Sequence, residues 1–203
     1  SKIDTYVLQK QKTIYEEEYD YQYTRDLLAA DDDIQRLKEE TGLNFRGLYK
    51  PQNTSFSLRH YANDETKTTL LYERLELSGF YGINQDDIDD LGFSYSGKLP
   101  NDYNEIAISQ YVFSFFDKCG FNNRNGLVIE ADDINSVEDF LSEEPSLPFG
   151  DMDLTITAVI DTQFDYDHFE LLDDIEMSNN ISYYFKLEEL WQTVMYGYHG
   201  MIF

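Results

Sequence analysis

The sequence predicts an α+β fold in which helices pack on a mixed β-sheet. Strand-like and helix-like periodicities alternate along most of the chain, which is typical of a sheet covered by helices. An early pair of β-rich runs adds a hairpin. Aromatic residues make up 16% of the 203 residues, so the chain can bury a substantial core. An α/β fold and a division into two subdomains remain open.

The charge of the chain limits its partners. Forty acidic and 15 basic residues give a net charge of −25. This charge repels nucleic-acid phosphates and anionic lipid headgroups, so we expect no nucleic-acid partner. It fits a solvated extracellular surface or a cationic partner such as a basic peptide, although acidity for solubility alone is the simpler explanation.

Neither a membrane span nor a signal peptide is visible in the sequence. No apolar run approaches the roughly 18–20 residues that cross a bilayer, and residues 1–12 are polar. We therefore expect a chain that is soluble as it stands and compatible with a larger parent protein. Cys119 is the single cysteine, so no internal disulfide forms, and its position at the end of an aromatic helix predicts a buried thiol.

The N-terminal region is predicted to be helical. Tyr15, Tyr19 and Tyr23 recur every four residues, which favours a helix. The helical pattern continues over residues 25–40 and ends at Gly42. The tyrosines are the set that we expect to be exposed, either packing on a neighbour or continuing toward a membrane helix.

Strands follow this helix. Residues 43–49 read as a strand, and the runs 54–61 and 68–77 are predicted to pair as a hairpin. Residues 78–83 read as a further short strand. A short helix is then predicted up to Leu91, with an acidic face and with end signals at Asn84 and Gly92.

Residues 97–109 combine a turn, a strand and a helix start. Gly97 permits an unusual backbone angle, and Pro100 disfavours a helix at the residue before it. Asn and Asp side chains then favour a turn, and residues 105–109 alternate as a strand with Ile106 and Ile108 on one face. Ser109 is a helix N-cap candidate, because helical spacing of apolar residues follows until Gly120.

The C-terminal half continues the alternation. Residues 154–160 give the strongest strand pattern of the chain, and residues 143–150 read as an acidic linker that contains prolines. The remaining predictions are an edge strand at 127–129, short helices at 136–141 and 168–172, a polar loop at 161–167, an amphipathic helix at 186–196 and a last strand at 198–203.

Two of these stretches together resemble the extracytoplasmic domain of FtsX/MacB-type ABC-transporter permeases, the MacB-like periplasmic core. Residues 97–109 read GKLPNDYNEIAIS, and residues 154–165 read LTITAVIDTQFD. In the family, a G-R/K-L-P segment with N-E-I-x-I-S leads into a helix, and a later strand of the form (L/F)-T-(I/V)-x-G-(I/V)-(I/V)-D returns to the same sheet. Ala158 replaces the usual glycine of that strand. The resemblance is carried by Gly97, Leu99, Pro100, Asn104, Glu105, Ile106, Ile108, Ser109, Thr155, Ile156 and Asp161.

The resemblance implies one extracytoplasmic domain over residues 1–203, inserted between membrane helices at the extracellular face of a Gram-positive cell membrane. Residues 1–41 would be a helical lead-in from a membrane helix, and residues 78–172 the best-matching core. A cytoplasmic ATPase would move the membrane helices, and the domain would pass this motion to an outer partner or engage a peptide or lipid-linked substrate. The resemblance implies no catalytic residue, cofactor or metal, and the G-x-x-x-x-G-K-[ST] loop of an ATPase is absent from the sequence.

Candidate sites for other chemistry have weak patterns. The acidic residues of the helix before Gly92 and of the loop 161–167 lack the compact frame of a calcium site, and we expect solvated carboxylates. The histidines lack ligand spacing, and Ser109 lacks the G-x-S-x-G nucleophile motif. The acidic candidates are Asp86, Asp87, Asp89 and Asp90 in the helix and Asp161, Asp165 and Asp167 in the loop, and the histidines are His60, His168 and His199.

Two other functions stay open beside the permease domain. A free bacterial surface module that binds a glycan or a cationic peptide would use the acidity and the 17 tyrosines. A hydrolase would use a pair of carboxylates from the acidic clusters, but nothing in the sequence sets their separation.

Overall fold

The computed structural model divides into two compact units, Ser1–Tyr49 and Lys50–Phe203. Its fold is α+β with a mixed sheet, as the sequence predicts. The structure describes residues 11–26, 29–43, 45–49, 69–72, 77–123, 125–149, 151–173 and 181–203.

The first unit contains a hairpin where a helix is predicted. β1 (Gln11–Glu16) pairs antiparallel with β2 (Tyr21–Asp26) across a 3-10 turn. Asp20 closes the turn in the left-handed region, at φ 48°. The helix prediction is wrong here because a four-residue spacing is also a multiple of the two-residue strand period, and Tyr favours strands. The lead-in of residues 1–41 is therefore only partly helical.

The helix α1 (Asp31–Thr41) begins later than predicted and ends where predicted. Three aspartates occupy its first turn, where the helix dipole favours negative charge. Gly42 closes it at φ 69°, a backbone angle that suits glycine. Of the strand predicted at 43–49, the structure contains only β3 (Leu48–Tyr49).

The second unit is built on a mixed sheet. Its strands are β4 Gly79–Tyr81, β5 Ser94–Gly97, β6 Glu105–Ser109, β9 Ser146–Phe149, β10 Met152–Asp161 and β11 Met201–Ile202. They run in the order β4–β11–β6–β10–β5, and β9 pairs with the first half of β10. β10 is parallel to β6 and antiparallel to β5 and β9, while β11 is parallel to β4 and antiparallel to β6. A separate small pair is β7 (Phe121–Asn122) with β8 (Val128–Ile129).

Two helices contribute buried apolar faces to the core of this unit. α3 (Gln110–Cys119) buries an apolar face that includes Phe115 and Phe116, and α5 (Ile181–Tyr196) buries Leu187 and Leu190. The shorter helices are α2 (Gln85–Leu91) and α4 (Val137–Ser142). The 3-10 segments are Leu70–Tyr72, Ala131–Asp133, Asp167–Asp173 and Tyr198–Gly200.

Several predicted boundaries change. The acidic linker prediction at 143–150 is wrong, because β9 forms there and pairs with β10. The predicted hairpin lies mostly outside the described residues, and its described part, 69–72 and 77, holds a 3-10 turn at Leu70–Tyr72 and no strand. The last strand is confined to β11, after a 3-10 turn.

Candidate functional site

The two motif stretches form neighbouring strands at the centre of the sheet. β6 and β10 run parallel, with Glu105 opposite Thr155 and Ile106 opposite Ile156. The prediction that the later strand returns to the sheet of the first is therefore confirmed. Ile106, Ile108 and Ile156 are buried in the main core, so these motif positions hold the sheet together.

Glu105 organises the loop that leads into β6. Its Oε2 atom accepts hydrogen bonds from the backbone N–H of Asn101, at 2.9 Å, and of Asp102, at 3.2 Å. Lys98 Nζ lies 3.6 Å from Oε1 of the same carboxylate. The Asn101 hydrogen bond is the main reason why the pKa of Glu105 lies below its ordinary value. This carboxylate therefore shapes the loop.

The other motif residues also have structural contacts. The Asn104 carbonyl accepts from the Thr155 backbone N–H at 2.8 Å, which ties the loop to β10. Leu99 and Pro100 are half-buried in the loop. At the end of β10, the Asp161 carboxylate accepts from the backbone N–H of Gln163 at 2.8 Å.

Ser109 is the N-cap of α3, as predicted. Its Oγ accepts from the Val112 backbone N–H at 3.1 Å and donates to the His199 carbonyl. Thr162 Oγ1 lies 2.8 Å from Nδ1 of the His199 ring. Burial lowers the pKa of His199 to about 4. Because Ser109 bonds to the backbone of His199 and not to its ring, this arrangement joins β6, α3 and the C-terminal segment without forming a nucleophile–base pair.

The acidic candidates do not converge. Asp87 is 4% exposed and caps α2, where its Oδ2 accepts from the Asn84 backbone N–H at 3.1 Å. The prediction of a fully solvated acidic face is therefore wrong at this position. Asp165 Oδ1 accepts from the His168 backbone N–H. Within the described parts of the chain, no group of three or more potential ligands is placed to hold a metal ion.

His168, in the 3-10 segment Asp167–Asp173, forms an exposed polar cluster with two side chains of α5. Its Nε2 is 2.7 Å from Glu189 Oε1 and 2.9 Å from Lys186 Nζ. The His168 contact is the main reason why the pKa of Glu189 is lowered. His60 lies outside the described residues.

The cysteine and tyrosine predictions have mixed outcomes. Cys119 is buried at 1% exposure, as predicted. Tyr15 and Tyr19 are exposed at 57% and 71%, while Tyr23 is half-buried and stacks on Tyr21 with ring centroids 5.9 Å apart.

A cavity of about 350 Å³ lies between the β7–β8 loop and the β9–β10 hairpin. Its volume is at the lower end of the range typical of small-molecule sites, roughly 300–1,000 Å³. Aromatic side chains line the floor and polar side chains line the rim. The lining residues are Phe116, Phe121, Asn122, Asn123, Gly126, Phe140, Pro145, Ser146, Pro148, Asp153 and Ile156.

Sequence reasoning missed this cavity. Its residues come from α3, α4, β7, β9 and β10 and from the loop before β8, and no spacing within one element marks them. The region 143–150, which supplies Pro145, Ser146 and Pro148 to the lining, reads as a linker in the sequence because of its prolines and acidic residues. Only the alternation of Leu147 and Phe149 around Pro148 hints at a strand there.

The motif residues fix strands, a loop and a helix cap, and the cavity is a partly open space of mixed polarity. Among the residues that the structure describes, no helix has both the length and the apolar character that a bilayer span requires. A scan against protein-family models and searches of curated proteins and of solved structures each found no match.

Proposed function

We propose that this chain is the extracytoplasmic domain of an FtsX/MacB-type ABC-transporter permease. The proposal is carried by the paired motifs: residues 97–109 and 154–165 follow the family pattern in order, and they form adjacent parallel strands. In this role the chain is not an enzyme, and it needs no cofactor of its own. ATP hydrolysis belongs to a separate cytoplasmic domain or subunit.

The central strands and α3 are suited to move together as one rigid body. Ser109 joins the end of β6, the start of α3 and the C-terminal segment through two hydrogen bonds. The Phe203 and Ala107 backbones exchange two further hydrogen bonds, at 2.7 and 2.8 Å. A displacement applied to one of these segments reaches the others with little internal deformation, because close-packed interiors deform little. Such a unit would pass the motion of the membrane helices to an outer partner, or to a peptide or lipid-linked substrate.

The proposal is tested on the full reading frame in intact cells. We expect hydrophobic segments of roughly 20 residues to flank the chain, and an ATPase to co-purify with the full protein. Because Cys119 is buried, a membrane-impermeant maleimide should label an Asp86→Cys variant from outside the cell more strongly than the parent protein. Labelling only after lysis, or a reading frame without flanking hydrophobic segments, would contradict the proposal.

A free surface module that binds a glycan or a cationic peptide is the second candidate. It is favoured by the exposed tyrosines of the first unit, of which Tyr15, Tyr19 and Tyr21 lie at or next to an acidic turn. Aromatic rings stack on sugars and attract cations. A glycan array and a basic-peptide array test it, and loss of binding in a Tyr19→Ala variant is expected. No detectable binding on either array would count against this candidate.

A further inference from the structure

The cavity beside the β9–β10 hairpin has polar side chains without a partner among the residues that the structure describes. Within the described parts of the chain, the side chains of Asn122, Ser146 and Asp153 make no hydrogen bond or ion pair, although all three line the cavity. Asn122 and Asp153 are exposed and Ser146 is half-buried. Together they present a carboxylate, an amide and a hydroxyl to one space.

The rim of the cavity is held in a fixed shape. Asn123 Oδ1 accepts from the backbone N–H groups of Asn125, at 3.0 Å, and Leu127, at 2.9 Å. The backbone N–H of Asn123 donates to the Leu127 carbonyl, and Asn123 also forms a β-bridge with Pro145, another lining residue. A rim held by these bonds needs little ordering when a ligand binds, which favours affinity.

The floor is a tight aromatic cluster. The Phe140 ring lies 4.8 Å from the Phe121 ring and 6.0 Å from the Phe116 ring, between centroids. All three side chains are at most 2% exposed. A ligand therefore meets the polar rim first and places only a small apolar body toward this floor.

We propose that this cavity binds a compact organic cation, an ammonium or guanidinium group on a short apolar body. Asp153 supplies a negative charge that has no partner among the described residues, and Asn122 and Ser146 supply acceptor oxygens for N–H donors. No basic side chain is among the described residues that line the cavity, and the net charge of −25 repels anions. This binding site does not depend on the permease assignment.

Three probes of nearly equal shape test the proposal: phenethylammonium, 2-phenylethanol and 3-phenylpropionate. Each is titrated into the whole chain and followed by backbone NMR shifts. We expect the ammonium to shift the amides of Asn122, Asn123 and Ser146 with saturation, the alcohol to bind the same place several-fold more weakly, and the carboxylate to have no effect. Equal affinity for all three probes, or ammonium shifts scattered over the acidic surface, would overturn the proposal.

Matched variants separate the site from general attraction to an acidic protein. Asp153→Asn should weaken phenethylammonium binding about three- to fivefold, the range of an exposed ion pair, and should leave 2-phenylethanol binding unchanged. Asp86→Asn removes the same charge from α2, away from the cavity lining, and should change neither. Ser146→Phe should block the cavity and abolish binding of both. Equal weakening by Asp153→Asn and Asp86→Asn would refute the assignment, even if Ser146→Phe fails to fold.

Discussion

Gly97, at the end of β5, occupies a position that no larger residue fits. Its φ is +91°, and a Cβ built there would collide with the Thr157 carbonyl oxygen on β10. Gly97→Ala should therefore lower the free energy of unfolding by about 3 kcal/mol or more, through backbone strain plus a clash. Gly92→Ala is the matched control, since Gly92 has φ +66° and its nearest neighbour, a Gln163 side-chain atom, is 3.9 Å away. Urea unfolding of both variants checks this, and equal losses would show that the collision is relieved at no cost.

Ser109 does more than cap a helix. Ser109 and Ser136 both accept from a backbone N–H three residues on, at 3.1 Å, but only Ser109 also donates to a carbonyl, that of His199. Ser136→Ala should cost about 1 kcal/mol, the value of a cap, and Ser109→Ala about 2–3 kcal/mol because a buried carbonyl loses its partner. Urea unfolding at neutral pH measures the difference. Similar costs for the two serines would mean that the bond to His199 contributes nothing.

Because of His199, the free energy of unfolding should fall at weakly acidic pH. Burial lowers the pKa of its imidazole to about 4 from the ordinary 6.5. Between these pH values the unfolded chain binds a proton that the folded chain does not. The contribution of His199 to the free energy of unfolding is therefore complete above pH 6.5 and is lost as the pH falls toward 4. After allowance for partial exposure, we expect a loss of about 2 kcal/mol. His199→Gln should flatten the pH dependence of unfolding over this range by that amount, whereas parallel curves for variant and parent would exclude the burial effect.

At the scale of elements, the correctly predicted helices are those whose end signals are local. α2 follows Asn84 and stops at Gly92, and α3 follows Ser109, because each cap bonds to backbone only three or four residues away. β9 was not predicted because its strand conformation depends on pairing with β10. Pro148 is tolerated there because β9 pairs on one side only among the described strands. Where an element depends on pairing with another strand, its own residues carry only part of the information.

The β1–β2 hairpin is an element whose stability depends on few contacts. Tyr23 stacks on Tyr21 and lies opposite Ile14 in the register. Tyr23→Ala should weaken the hairpin by about 0.5–1 kcal/mol, seen as faster amide hydrogen exchange in both strands. Tyr19→Ala is the control, because Tyr19 is in the turn and 71% exposed, and it should leave exchange unchanged. Equal acceleration in both variants would indicate general fraying of the hairpin.

At the scale of the whole molecule, the sequence predicts the fold class and the neighbouring motif strands but not the cavity. The motif strands are long-range partners, yet each has its own period-2 pattern, so the resemblance could place them together. The cavity arises from side chains between Phe116 and Ile156 on five elements and their loops, and its shape is set by packing. Packing of this kind has no periodic signature in one sequence.

The net charge of −25 is also a property of the whole molecule, and it should make stability depend on salt. With 40 acidic and 15 basic residues, repulsion between like charges favours expansion of the chain. Raising NaCl from about 10 to 300 mM shortens the screening length from roughly 30 Å to below 10 Å. We expect a gain of about 1 kcal/mol in the free energy of unfolding, which corresponds to a rise of about 2–4 °C in Tm for a chain of this size. Potassium chloride should give the same rise as NaCl because both screen equally, and sucrose at equal osmolality should give a smaller one. A Tm that is flat or falls over this range would mean that the acidic residues are already spaced so that their repulsion is negligible in the folded state.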